Sequence, residues 1–482
     1  FVRRPGAGGA PELILEQRPS EWGLWTASST TGEAKLLWQS PKTLRGSVPS
    51  TEGGTNLHWA AGGRIVFLSY MDGWPHLYSL GENGGTPLLL TPGDYMAEYI
   101  QLSPDGRTLV FAANAGSTPD DIDRRHIVSV PVDRATPKIL TPGTGLEWTP
   151  VVLGDLKTVA FLGATAQRPP LPSVIPLAGG SVTIVGAERV PSDFPAAQLV
   201  TPRAVTYKSA DGVMVHAQLF EALMPDERRL PRGTLAAKKP AIIYVHGGPP
   251  RQMLLGWHYS DYYANAYAIN QYLASKGFVV LSVNYRLGIG YGYDFHRPPN
   301  AGAHGASEYL DVKAGAEYLK TLPQVDGPHI GIYGGSYGGF LTALALGRNS
   351  DLFAAGVDIH GVHDFTAMGS GAGSAFQAAV GEPGRFAPAD RDKALEVAWT
   401  SSPVSSVPTW KSPVLLIHAD DDRNVRFSQT VDLSRRLTAR GVSFEELIVV
   451  DDTHHWMRHA NQMRVNAAIA EYMERKLKGA VQ

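Results

Sequence analysis

Thr86-Pro87-Leu88-Leu89-Leu90-Thr91-Pro92-Gly93 returns fifty positions later as Thr136-Pro137-Lys138-Ile139-Leu140-Thr141-Pro142-Gly143. His76-Leu77-Tyr78-Ser79-Leu80 and His126-Ile127-Val128-Ser129-Val130 keep the same offset. Apolar runs at 64–68, 108–112 and 158–162 fall in corresponding places, and Ser103-Pro104-Asp105-Gly106 supplies a tight turn before the second of them. A unit of this length, built from short alternating runs between Gly, Pro, Asp and Asn turns, must stack on its neighbours to bury its apolar face. The pattern predicts the blades of an all-β propeller, each of about four strands. Four units can be counted, at 9–41, 57–93, 94–143 and 144–185. A closed ring on a domain of this kind commonly takes about six to eight, so the propeller is expected to be incomplete at the N-terminus of this chain.

After Pro240 the pattern changes. Continuous apolar runs at 241–245, 278–283, 329–333, 356–359, 414–418 and 444–450 alternate with helical patterns at 263–276, 306–322, 338–348, 427–440 and 459–478. Buried strands between amphipathic helices predict a mostly parallel, doubly wound sheet covered on both faces. A hairpin pattern at 204–220, turning at Ser209-Ala210-Asp211-Gly212, opens this half. The expected division is 1–195 for the propeller blades and 196–482 for the α/β domain.

Reactive groups in such sheets sit in loops beyond the carboxyl ends of strands, and the marked residues fall there. Gly334-Gly335-Ser336-Tyr337-Gly338 stands between a strand and a helix, the setting of a nucleophile elbow. Asp420-Asp421-Asp422 follows one later strand and Asp451-Asp452-Thr453-His454-His455 the next. Serine, aspartate and histidine in that chain order suit a triad in which an imidazole deprotonates the hydroxyl and a carboxylate fixes its tautomer. Spacing alone leaves open which aspartate and which histidine of the pair serve. His246-Gly247-Gly248-Pro249 follows the first strong strand, so the Gly248 N–H and the Tyr337 N–H are candidate donors to an oxyanion. The plain reading of that loop is a Gly-Pro turn, and His246 is expected to be structural.

Other function classes are thinly supported. A formal net charge of −2 gives no reason to expect a nucleic-acid partner, and the absence of cysteine removes disulfides and thiolate chemistry. No apolar run approaches the ~20 residues of a membrane span. Asn284-Tyr285-Arg286-Leu287-Gly288-Ile289-Gly290 lacks a dinucleotide fingerprint, and His296, His304, His360 and His363 are scattered in sequence, so neither cofactor nor metal is expected.

The Gly-Gly-Ser-Tyr-Gly-Gly elbow, the His-Gly-Gly-Pro loop, Asn284-Tyr285-Arg286 and Asp422-Arg423-Asn424-Val425 together resemble the prolyl oligopeptidase family of serine peptidases. The resemblance is close over about 205–482 and extends to the β half in architecture and order only. It implies an α/β-hydrolase catalytic domain preceded by a propeller, and Ser336, Asp422 and His454 as the catalytic set, with Asp421 as the competing acid. It also implies Asn424 and Val425 as substrate-binding residues, with Tyr337, Val362, Phe365 and Val425 around a specificity pocket. The chain departs from proline-specific members after Phe365, where Thr366-Ala367-Met368-Gly369 brings no tyrosine, and 369–400 is expected to form a lid or side wall. Dipeptidyl peptidases of the family hold the substrate amine with paired glutamates, whereas residues 1–200 offer single ones such as Glu98 and Glu147. The implied substrate is a short or unfolded peptide, cleaved as by a dipeptidyl, acylaminoacyl or oligopeptidase or by a specialised isopeptidase. An esterase on the same triad is the alternative. Compartment, cytoplasmic or periplasmic in a bacterial setting, and oligomeric state, monomer or dimer, are left open by the sequence.

Overall fold

The computed structural model describes residues 1–3, 14–49, 54–222, 224, 237–367 and 387–479. The N-terminal half folds as four antiparallel sheets, of three strands within 2–39 and of four strands each within 58–89, 97–139 and 146–184. The repeated Thr-Pro-Gly segments have a shared structural use. The Thr91 hydroxyl accepts the Leu77 N–H at 2.9 Å, and the Thr141 hydroxyl accepts the Ile127 N–H at 2.8 Å. Each threonine thus closes the end of a two-residue outer strand, at Leu88–Leu89 and Lys138–Ile139, that would otherwise leave buried donors unmet.

The C-terminal half is one sheet of eight strands, β1 (Arg203–Lys208), β2 (Met214–Glu221), β3 (Lys239–Val245), β4 (Val279–Asn284), β5 (Val325–Gly335), β6 (Ala355–Ile359), β7 (Val414–Ala419) and β8 (Phe444–Val449). Their order is β1-β2-β4-β3-β5-β6-β7-β8, antiparallel at β1 and β2 and parallel from β4 to β8. The helices are α1 (Asp261–Ser275), α2 (Tyr309–Thr321), α3 (Tyr337–Arg348), α4 (Pro388–Ser401), α5 (Ser428–Arg440) and α6 (His459–Leu477). Alternation along the strands divides the core. Ala241, Ile243 and Val245 of β3 face α2, α3 and α5, whereas Ile242 and Tyr244 face α1 and α6. Both faces are apolar, which is why the sequence shows continuous runs here rather than alternation. Of the stretch expected to form a lid or wall, 388–401 is helical and 368–386 lies outside the described residues.

The Asn284-Tyr285-Arg286 stretch is a brace. The Asn284 carboxamide accepts the Met253 N–H at 2.7 Å, and the Tyr285 hydroxyl donates to the His246 carbonyl at 2.7 Å. Arg286, almost wholly buried, pairs with Asp311 of α2 at 2.6 Å and with Asp211 of the β1–β2 turn. Two carboxylates and the Ser209 hydroxyl satisfy its fork, so the charge is compensated where it is buried.

The halves interlock around the loop that precedes α1. Leu255 N–H donates to the Asp123 carbonyl at 3.0 Å, Gln252 reaches the Asp123 carboxylate at 3.1 Å, and Asn114 reaches the Gly290 carbonyl at 2.7 Å. Among the described residues, no helix is long and apolar enough to cross a membrane.

Candidate active site

β5 ends in Gly335, and Ser336 turns the chain into α3 with φ 60° and ψ −118°. A serine at positive φ costs about 1–3 kcal/mol and persists only where its surroundings fix it. The Ser336 N–H is held by the Ile359 carbonyl of β6 at 2.9 Å. The glycines flanking it are dictated by β3: a Cβ on Gly334 would lie 2.4 Å from the Val245 oxygen, and one on Gly338 only 2.1 Å from it. The turn can be this sharp only with hydrogen at both places.

β7 and β8 bring the next two groups together. His454 Nδ1 lies 2.6 Å from Asp422 Oδ2, and both side chains are buried. The other carboxylate oxygen accepts the N–H groups of Asn424 and Val425 at 2.8 and 2.9 Å. His418 stands 3.3 Å from Oδ2. Burial works to raise the Asp422 pKa, but the bonds from His418 and His454 and the charge of His454 outweigh it and hold the carboxyl well below its ordinary range. Asp421, the competing acid, is exposed beside Arg423 at 3.3 Å, and His455 is exposed too. Asp420 accepts the Asp451 N–H at 2.8 Å, tying the two loops. His454 is thus paired with Asp422 and not with Asp421.

Gly247 packs on the elbow: a Cβ there would lie 2.9 Å from the Gly335 carbonyl oxygen and 3.2 Å from Ser336 Cβ. Gly248, with φ 113°, follows it. Tyr337 opens α3, in the turn whose N–H groups have no intrahelical acceptor. Tyr337 thus adjoins Ser336 directly, and Gly248 is one residue beyond the Gly247 contact. His246 is buried, stacks on Tyr285 at 4.3 Å between centroids and bonds its own loop through the Gly247 carbonyl at 2.8 Å. Burial lowers its pKa to about 4, so it stays neutral and structural.

Val362, Phe365, Tyr337 and Val425 are buried in one apolar cluster with Phe340, and the Phe340 ring meets those of Tyr337 and Phe365 at 5.0 Å each. The Tyr337 hydroxyl donates to buried Glu308 at 2.6 Å. Asn424 has an exposed side chain; its backbone, as noted, holds Asp422.

His360 corrects the expectation of scattered histidines. Following β6 with φ 41°, it is fully buried and its ring lies 4.1 Å from that of His454. The Tyr262 hydroxyl is 2.9 Å from its Nε2. Burial, then the neighbouring His454 and His418, drive its pKa well below the ordinary value. Potential ligand atoms of His360, Asp422 and His454 lie within 4.8 Å of one another, but two of the three are already joined as an acid–base pair. Its place at the end of a parallel strand was the one signal in the sequence that could have found it.

Residues 265–480 match the sequence profile of the prolyl oligopeptidase family. That segment, most of the α/β domain, is thus similar to this family of serine peptidases. The human acylamino-acid-releasing enzyme is 27% identical over 371 residues, covering 73% of this chain and 46% of that one. Dipeptidyl aminopeptidase BIII of Pseudoxanthomonas mexicana is 27% identical over 254 residues, covering 51% of this chain and 34% of the relative. The matches thus cover about a third to a half of these curated relatives' length. A puromycin-hydrolyzing peptidase of Mycobacterium tuberculosis superposes with a TM-score of 0.75 at 20% identity, over 99% of this chain and 68% of that one. The architecture is a β-propeller followed by an α/β-hydrolase domain.

Proposed function

We propose that the chain is a serine peptidase that cleaves short or unfolded peptides through an acyl-enzyme on Ser336. The observation that carries this reading is the buried 2.6 Å contact of His454 Nδ1 with Asp422, beside a serine held at positive φ between β5 and α3. Asp422 accepts the Nδ1 proton, so the lone pair of a neutral His454 is on Nε2. Nε2 takes the Ser336 proton as Oγ adds to the substrate carbonyl. The N–H groups of Gly248 and Tyr337 receive the oxyanion. Collapse breaks the C–N bond, and the amine leaves with the proton from Nε2. Water then repeats the sequence, releasing the acid and restoring Ser336. Val362, Phe365 and Val425 line the pocket for the residue before the bond, and Asn424 meets the substrate backbone.

Two glutamates bear on whether a free substrate amine is clamped. Glu98 is already bonded to buried Arg125, and Glu147 to His126 and Thr141 at 3.0 Å each. Neither carboxylate is spare for an ammonium group, so either the amine clamp of the dipeptidyl kind is supplied by blades outside this chain, or the chemistry is acylaminoacyl, oligopeptidase or isopeptidase. The test is a chromogenic dipeptide series offered with free and acetylated N-termini, with Ser336→Ala as control. Cleavage of acetylated substrates would select the second; cleavage of the free forms alone would select the dipeptidyl assignment. Turnover by Ser336→Ala at the wild-type rate would end the serine mechanism.

A further inference from the structure

Arg251 stands three residues beyond Gly248, on the loop bordering Ser336. Its main chain is clamped on both sides. The N–H donates to the Pro249 carbonyl at 2.6 Å, and the carbonyl accepts the Ile289 N–H at 3.2 Å. The stem is packed against the loop as well, since a Cβ on Gly248 would lie 3.0 Å from Arg251 Cγ. Arg251 is half-buried; its Nη1 donates to the Pro250 carbonyl at 2.9 Å, and its guanidinium also hydrogen-bonds the Tyr263 hydroxyl, which leaves most of its five donors unused. Among the described residues no carboxylate pairs with it. The buried arginines of the two halves are compensated: Arg125 has Glu98, Arg124 has Asp121 at 3.1 Å, and Arg286 has two aspartates.

The charge also faces the site. Tyr263, whose phenol burial pushes up to about 12 while Arg251 opposes the rise, has its hydroxyl 3.3 Å from the Cβ position of Gly247. His455, next to the base, is likewise within the reach of the Arg251 field. A guanidinium has five donors in a fork that matches a carboxylate, and partial burial strengthens that match.

We propose that Arg251 is an anion subsite beside Ser336 that takes a carboxylate of the peptide substrate. The proposal rests on Ser336 being the nucleophile. The carboxylate has two sources in a peptide, an acidic side chain near the scissile bond or the free C-terminus. Either would approach a cation whose position the loop fixes, and the specificity would come as a difference between matched acidic and neutral substrates.

The experiment compares kcat/KM on N-acetylated peptides differing only by Glu against Gln on either side of the scissile bond, and by C-terminal acid against amide. Wild type, Arg251→Gln and Arg251→Lys are each assayed, and labelling of Ser336 by a fluorophosphonate is measured in parallel. We expect the wild type to favour one anionic form by about ten- to a hundred-fold, as a hydrogen-bonded charge pair gives. That ratio should collapse to about two-fold or less in Arg251→Gln and be intermediate in Arg251→Lys, which keeps charge but loses the fork. Preference for Glu assigns the subsite to side chains, and preference for the free acid assigns it to C-termini. Labelled wild type with no anionic preference, or a ratio unchanged in Arg251→Gln, overturns the subsite alone. Wild type that is not labelled at Ser336 overturns the nucleophile and the subsite together.

Discussion

Two buried histidine–aspartate pairs occupy the α/β domain at the same 2.6 Å separation, His454–Asp422 and His363–Asp358. They differ in what the other ring nitrogen meets. His363 Nδ1 faces the Gln429 carbonyl at 3.0 Å while Nε2 faces the carboxylate, so both nitrogens donate and the ring is a cation. Burial disfavours that charge, yet Asp358 more than offsets it and the His363 pKa is raised. His454 uses Nδ1 alone, and among the described residues its Nε2 makes no hydrogen bond. Equal distances therefore carry different chemistry: a ring with both protons committed cannot accept another, and one with a bare Nε2 can.

The sharpest way to break this comparison is to neutralise each acid in turn. Asp422→Asn should lower kcat by about ten thousand-fold, because an amide no longer selects the Nδ1–H tautomer. Asp358→Asn should leave turnover within about ten-fold but cost about 3–5 kcal/mol of stability, since it strands a buried cation. Turnover and denaturant unfolding on the two variants check both. The reverse pattern, activity lost with Asp358→Asn and kept with Asp422→Asn, would exchange their roles.

A smaller effect is expected at His360. Its ring packs on that of His454 and is tethered by Tyr262, so it positions the base without touching substrate. His360→Ala should lower kcat by about ten- to a hundred-fold with KM little changed, the scale on which misplacing a catalytic group is felt. His360→Phe, which restores the packed ring without a titrating nitrogen, should recover most of the rate. An unchanged kcat in His360→Ala would reduce the residue to core packing.

Why the sequence disclosed one pair and not the other follows from what each depends on. The elbow was legible because Gly334 and Gly338 are demanded by the Val245 carbonyl, so chemistry and sterics mark the same ten residues. His454 and Asp422 were legible as strand-end residues in a fixed chain order, although only the resemblance, and then the 2.6 Å contact, separated Asp422 from Asp421. His360 and Arg251 left no such trace. Their neighbours come from α1, β8 and the Gly288–Gly290 loop, far off in sequence, and a lone polar residue in an apolar run has no periodicity to betray it. The β half was the reverse case. Its strands were legible because each unit repeats, while the Asp123 and Gln252 contacts that join it to the α/β domain occur once.

The pairs should also separate by pH. The Asp422 carboxyl is depressed by folding, so its contribution is present above the ordinary carboxylate range, near pH 4, and lost as pH falls through the folded value. The His363 pKa is raised, so its contribution is full below about pH 6.5 and lost as pH climbs through the folded value. Melting temperature against pH should lose its acid arm in Asp422→Asn and its alkaline arm in His363→Gln. A variant that flattens the opposite arm would contradict the assignment.

The smallest effect compares the two repeats. Thr91 and Thr141 accept equivalent backbone N–H groups at 2.9 and 2.8 Å. Only Thr141 also donates, to Glu147 at 3.0 Å, and the same carboxylate oxygen lies 3.0 Å from His126 Nδ1. Valine at either site keeps the shape and removes the acceptor, costing about 1 kcal/mol for one ordinary hydrogen bond. At Thr141 it also withdraws a donor from a buried carboxylate, and a hydrogen bond to a charged group is worth about 1.5–3 kcal/mol. Thr141→Val should therefore be the more destabilising of the two in denaturant melts, by about 1.5–3 kcal/mol. A Glu147→Gln background should narrow that gap, because a neutral acceptor has less to lose. Equal costs in the native background would mean that Glu147 is satisfied by His126 alone and that the two repeats, alike in sequence, are also alike in energy.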